Sequence, residues 1–193
     1  LIAGGGEVLA FVDRQVEDEL LGRPVLDEAR ALPGFDRSLV RLVIGVGGTR
    51  GGASGEHRAE LADRFAAEGW TIADVVHPTA TVSSSATLGR GVQLLARSVV
   101  QPKAIVGEGA IVNTAAVVEH DVIVGGYCHI SIGAILCGGV KVGAHSHIGA
   151  GATVREGVSI GRCVTIGMGA VVLTDCADGK TYIGNPAREA NRT

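Results

Sequence analysis

From Val76 to Val172 an aliphatic side chain returns at every sixth position, seventeen times without a miss. The series runs Val76, Val82, Leu88, Leu94, Val100, Val106, Val112, Val118, Val124, Ile130, Leu136, Val142, Ile148, Val154, Ile160, Ile166, Val172. Four residues after each stands a small or modest side chain, from Ala80 and Ala86 through Cys128 and Ala134 to Cys176. An amphipathic helix would space its apolar residues by three to four, and a half-buried strand by two. A strict period of six fits neither. It predicts a solenoid of short strands joined by tight corners, a parallel β-helix of hexapeptide repeats with the aliphatic residues pointing inward as one column.

A second period says how the hexads stack. Glycine follows the aliphatic residue at Gly89, Gly107, Gly125, Gly143 and Gly161, each eighteen positions after the last. Eighteen is three hexads, so three faces make one coil and these glycines line one corner. The expected reason is a tight corner whose backbone angles a β-carbon forbids. Just under six coils result, roughly 27 Å long at a strand spacing of ~4.8 Å.

Before Val76 the six-residue period is absent, and residues 1–75 read as a separate α/β unit ahead of a β-helix over 76–193. Leu1-Ile2-Ala3 runs into Gly4-Gly5-Gly6, residues 8–12 form an apolar run ending at Asp13, and residues 39–46 form a third strand candidate. Residues 57–69 have helical spacing, with Leu61, Ala62, Phe65 and Ala66 on one face and Gly69 as the stop. Residues 70–76 read as a last strand feeding the solenoid, and 51–55 as a flexible glycine-rich loop. Strand, glycine turn, strand ending in an acid, strand and helix is the order of a small Rossmann-like nucleotide-binding domain. One step is short. Parallel strands need a crossover of a dozen or more residues, yet only Glu7 separates Gly6 from Val8. Either these strands make a glycine hairpin or a segment is missing after Gly6, and the missing segment is the favoured reading.

Composition sharpens this picture without changing it. Hydrophobic residues make up 46% of the chain but aromatics only 3%, which fits a core of stacked Val, Ile, Leu and Ala. A net charge of −3 argues against a nucleic-acid-binding surface. The four cysteines form no CxxC pair and read as free thiols, which favours a reducing compartment. No apolar run has the length of a membrane span. A cytoplasmic protein is expected.

Within the solenoid, Asn113-Thr114-Ala115-Ala116-Val117-Val118-Glu119-His120-Asp121 is followed by Val124-Gly125 and His129-Ile130. This string resembles the signature of left-handed β-helix acyltransferases of the sialic acid O-acetyltransferase and bacillosamine-pathway N-acetyltransferase family. Tyr182-Ile183-Gly184-Asn185-Pro186-Ala187-Arg188 looks like that group's closing segment, and Gly22-Arg23-Pro24-Val25-Leu26 resembles its N-terminal Gly-x-Pro-Val stretch. The resemblance implies an acetyl-CoA-dependent transferase that is trimeric, with active sites between subunits. It implies His120 as catalytic base with Asp121 beside it, and His129 near the thioester, with Gly138, Ala150 and Met168 along acetyl-CoA. It implies a nucleotide-linked sugar held by Gly4, Gly5, Gly6, Asp13, Asn113 and Thr114.

The chemistry agrees on its own terms. Acetyl transfer from a thioester needs a base and an oxyanion donor, and histidine titrates near neutral pH. On an extended segment Glu119 and Asp121 would both point away from His120, so a contact requires a turn at that corner. The expected course is direct attack, His120 taking the proton and CoA thiolate leaving, with a backbone N–H on the oxyanion. Covalent catalysis by Cys137 is disfavoured. His145 and His147 invite a metal reading, but a catalytic imidazole site needs three ligands and an open position, so no metal is expected. The favoured acceptor is the amino group of a nucleotide-linked amino sugar. O-acetylation of sialic acid is the alternative within enzymes, and a non-catalytic scaffold the alternative outside them.

Overall fold

The computed structural model describes residues 7–13, 19–28, 32–48 and 51–190. Gly4, Gly5 and Gly6, the strand expected at 1–3 and the junction after Gly6 lie outside these residues.

Seventeen two-residue strands, β4 (Val75–Val76) through β20 (Val171–Val172), recur every six residues. The second residue of each is the predicted aliphatic one. Strands eighteen residues apart pair in parallel, as in Ile111↔His129, Val117↔Ile135 and Ile123↔Lys141, and build three flat faces. From Leu94 onward the column is almost wholly inaccessible, and the small residues four positions later fill the space between coils. Val76 departs from the expectation at 43% exposure, because it stands at the open end of the first coil with no coil beneath it.

The corners correct the reading of the eighteen-residue glycines. The left-handed backbone angle falls two residues later, every sixth position, on glycines such as Gly91 and Gly139 but also on Ala115, Asp121, Tyr127, His145 and Cys163. Gly107 and Gly125 serve the close stacking of coils instead. A β-carbon at Gly107 would lie 2.7 Å from the Gly126 nitrogen, and one at Gly125 would lie 2.5 Å from the Ala144 nitrogen, both in the next coil.

The solenoid closes by shortening its last coil. Strand β21 (Thr181–Ile183) lies parallel on Thr165–Ile166 and antiparallel to β22 (Arg188–Glu189). Its register partner Thr181 is sixteen residues from Thr165, two fewer than the repeat, which ends the stacking.

The N-terminal residues hold less strand than expected. Strand β1 covers only Phe11–Val12, and pairs parallel with β3 (Arg23–Leu26), itself antiparallel to β2 (Glu19–Leu20). The strand expected at 39–46 is reduced to one parallel bridge, Leu42↔Ile72, which also replaces most of the strand expected at 70–76. Helix α1 spans Ala53–Ala67, so residues 53–55 form its first turn rather than a loop. Leu32, Phe65 and Trp70 make a small core under it with Leu42, Ile44 and Ile72 packed alongside. Ala62 and Phe65 are buried as expected, whereas Ala66 is exposed.

Candidate active site

His120 and Asp121 occupy the corner between the second and third faces. Asp121 has φ 58°, and this left-handed turn swings its carboxylate back so that His120 Nδ1–H donates to Asp121 Oδ2 at 2.9 Å. The turn required at this corner is present. Glu119 does not reach the ring; its Oε2 accepts from the His120 backbone N–H at 3.3 Å. Both members of the pair are open to solvent, 62% and 55% exposed at the side chain. With Nδ1 committed to Asp121, Nε2 carries the lone pair available to take a proton.

Gly138 sits one coil above His120. A β-carbon there would lie 2.6 Å from both Cε1 and Nε2 of the imidazole, so the ring occupies space that any other residue would fill. Gly139 N–H donates to the His120 carbonyl at 2.9 Å and ties the two corners together. Cys137, next to it, is held as the thiol by burial and by Glu156 and Glu119, which raise its pKa. That disfavours it as a nucleophile.

A second cluster lies on the first face. His129 Nδ1–H donates to the Gly48 carbonyl at 3.1 Å, and Asn113 Nδ2 donates to His129 Nε2 at 3.0 Å, while Asn113 Oδ1 accepts from Thr114 N–H at 2.7 Å. Every polar atom in this chain has a single consistent role, and it makes His129 a neutral imidazole protonated on Nδ1. Burial pushes the His129 pKa down, with the Gly48 bond opposing and the Arg58 charge adding to the fall. His147, one coil above, meets His129 edge-on at 5.1 Å between ring centroids. Burial first, then His129 and Arg58, drive the His147 pKa down to about 4.

The remaining expected residues divide. Thr114, Ala150 and Met168 stack on one corner column, Gly133 N–H donating to Thr114 O and Gly169 N–H to Ala150 O. Met168 is 83% exposed at its upper end. Asp13 belongs to the small N-terminal sheet, where its N–H donates to Leu26 O, on an element separate from both histidine clusters. Among the described residues no group of three His, Cys, Asp or Glu side chains is placed to hold a metal ion, and no helix is long and apolar enough to cross a membrane.

Two participants escaped the sequence reading. Gly48 supplies the carbonyl on His129. Arg58, only 2% exposed, reaches from α1 to the backbone just ahead of His129. The signal for Arg58 was available: it falls on the buried stripe of α1 with Gly55, Ala62 and Phe65, where a charged residue is out of place unless it has partners. Arg58, Trp70 and Tyr127 also line a cavity of about 360 Å³ between α1 and the lower coils, which His120 does not touch.

Comparison with known proteins follows the same lines. The repeat family described as bacterial transferase hexapeptide (six repeats) matches residues 139–174. No curated protein matches the chain. The acetyltransferase domain of PglB from Neisseria gonorrhoeae, also solved with acetyl coenzyme A, is 35% identical with a TM-score of 0.90, over 98% of this chain and 90% of that one. A histidine-to-asparagine variant of perosamine N-acetyltransferase from Caulobacter crescentus, in complex with CoA and GDP-perosamine, is 35% identical with a TM-score of 0.89, over 99% of this chain and 89% of that one. WeeI from Acinetobacter baumannii, 22% identical with a TM-score of 0.76 over 94% of this chain and 85% of that one, shares the fold.

Proposed function

This chain belongs to the left-handed β-helix, hexapeptide-repeat sugar acetyltransferases of the bacillosamine-pathway type, and from that premise we propose that it transfers acetyl from acetyl-CoA to the amino group of a nucleotide-linked amino sugar. The observation that carries this reading is the His120–Asp121 pair at 2.9 Å, held on an exposed corner of the family's fold. Asp121 fixes the tautomer, so Nε2 accepts a proton from the acceptor amine as its nitrogen attacks the thioester carbon. The C–N bond forms, the tetrahedral intermediate collapses, and CoA leaves as thiolate, which receives the proton from the imidazolium. The Gly138 N–H, which donates to no backbone carbonyl among the described residues, adjoins the ring and suits the oxyanion.

His129 and Asn113 have no role as bases, because the His129 Nε2 lone pair accepts from Asn113 Nδ2 and Asn113 Oδ1 accepts from Thr114 N–H. They suit a rigid polar wall beside the thioester, with Ala150 and Met168 along the narrow arm of acetyl-CoA and Thr114 toward the sugar. The His120 corner and the Asn113–His129 face are separated by the second face of the solenoid within one chain. A site using both therefore needs a neighbouring copy, and a homotrimer with three such junctions fits. The aliphatics Val117, Ile135, Ile105 and Ile123 flank the His120 corner, and Ile135, Ile105 and Ile123 are well exposed; apolar cover by a neighbour suits them. Residues 1–75, read as a small Rossmann-like domain with Gly4, Gly5, Gly6 and Asp13 toward the nucleotide, would present the sugar to that junction. The parallel pairings of β1 with β3 and of Leu42 with Ile72 support that reading.

The test is free-thiol release from acetyl-CoA against UDP- and GDP-linked amino sugars, with free sialic acid alongside. Release with a nucleotide amino sugar, abolished by His120→Ala, is expected. Release with sialic acid alone would transfer the assignment to O-acetylation, and unchanged release in His120→Ala would remove the mechanism.

A further inference from the structure

Arg58 is buried on α1 without a carboxylate partner among the described residues. Its Nη2 donates to Tyr127 O at 2.6 Å and to Cys128 O at 3.3 Å, the two carbonyls directly before His129. Buried guanidinium groups are ordinarily paired with an acid, so spending this one on backbone carbonyls calls for a purpose at those carbonyls. The approach of α1 to the same corner is as close as backbone allows. A β-carbon at Gly55 would lie 2.9 Å from both His145 Cα and Tyr127 O. The segment ahead of the helix is tied down as well, Gly51 N–H donating to Thr165 Oγ1 at 2.8 Å and Gly52 N–H to His145 O at 2.7 Å. The Gly48 carbonyl then grips the His129 ring.

We infer that Arg58 is a positioning residue for acetyl transfer: it holds the 127–128 backbone from which His129 projects, so that the N-terminal residues grip this histidine at the main chain through Arg58 and at the ring through Gly48. The inference rests on the reading of His129 as part of the acyl-transfer site. Arg58 acts from α1 on both of the edge-on imidazoles, and His129 acts in addition on His147; the Arg58 cation favours the neutral form of both rings.

The experiment compares Arg58→Met, Arg58→Lys and His129→Asn in the whole protein. It measures acetyl-CoA turnover, KM for both substrates and the NMR titration of the His129 ring, assigned by its loss in His129→Asn. Arg58→Met should lower kcat about tenfold or more, as expected when a group lining the acyl site is misplaced, and should move the His129 titration to higher pH because the cation is gone. Arg58→Lys keeps the charge on a side chain one bond shorter, whose ammonium falls short of the two carbonyls that Nη2 reaches, so kcat should fall while the titration stays near that of the wild type. A purely structural role would lower the folded fraction and leave kcat per folded molecule at the wild-type value. Wild-type kcat per folded molecule in Arg58→Met would overturn the inference whatever the titration does, because loss of the cation moves the titration under either role. If Arg58→Met does not fold, wild-type kcat in Arg58→Lys overturns it and a tenfold loss at full folded fraction supports it. Wild-type turnover in His129→Asn would instead sink the reading beneath it, whereas slow His129→Asn beside fast Arg58→Met would remove Arg58 alone.

Discussion

The imidazole of His120 lies against the α-carbon of Gly138, one coil above it, in space that a single methyl group would occupy. Stacking at eighteen residues makes this relationship, and the absence of a side chain at Gly138 allows it. Gly138→Ala should therefore displace the ring while leaving the solenoid intact. We expect kcat to fall roughly 10²-fold with the thermal midpoint little changed, measured by thiol release and by calorimetry. An alanine variant with wild-type kcat would mean that the ring works from another position.

Asp121 has two separable jobs. Its backbone takes a left-handed angle, which Asn tolerates, and its carboxylate accepts from His120 Nδ1–H. Asp121→Asn should keep the corner but lose the charged acceptor and the tautomer it selects, lowering kcat by about 10² or more. Asp121→Ala should add a fold penalty of about 1 kcal/mol from the positive φ. Comparing kcat and chemical denaturation across the two variants separates the jobs.

His147 should make the fold acid-sensitive. Its folded-state pKa of about 4 lies below the unfolded value near 6.5. Between those values the unfolded chain binds more protons, so stability is full above about pH 6.5 and is lost as pH falls toward 4. At 1.36 kcal/mol per unit the gap of about 2.5 units sets an upper limit of about 3 kcal/mol. His147→Phe retains the edge contact with His129 and removes the proton site. Its urea midpoint should depend less on pH between 6.5 and 4 than that of the wild type, and an unchanged dependence would assign the acid sensitivity elsewhere.

Gly55 sets the docking distance of α1. Gly55→Ala puts a methyl group against backbone atoms of Tyr127 and His145 that cannot rotate away. A cost of about 1–3 kcal/mol is expected from overpacking, with loss of hydrogen-exchange protection concentrated in α1 rather than in the coils. Uniform loss of protection would mean that helix and solenoid unfold as one unit.

Several of these residues could be named before the fold was known, and others could not. The pair His120–Asp121 was legible through the resemblance of its string to the family's signature, and the period added only that it lies at a corner, where the two side chains can meet. Stacking of His129 under His147 was legible as well, since they differ by eighteen. Arg58 and Gly48 were not, because their contacts with Tyr127 and His129 span 69 and 81 residues and no period connects them. The glycines at 107 and 125 were found at the right places for the wrong reason: their spacing signalled a corner, but whether a corner glycine serves backbone angle or close approach depends on where the neighbouring coil lies.

The amino-acid sequence by itself determined the solenoid: its start near Val76, its three faces, its inward column and the register of its coils. A repeat contacts mainly its neighbours, so a one-dimensional pattern carries nearly all the information its packing needs. Tertiary structure alone decided how the first residues meet that solenoid. The strand expected at 39–46 and the first part of the one expected at 70–76 shrank to a single bridge, residues 53–55 of the glycine loop became the first turn of α1, and a buried arginine came to hold the backbone ahead of His129. Those outcomes depend on surfaces meeting across long stretches of chain, where close approach and the pairing of buried polar groups override local propensity.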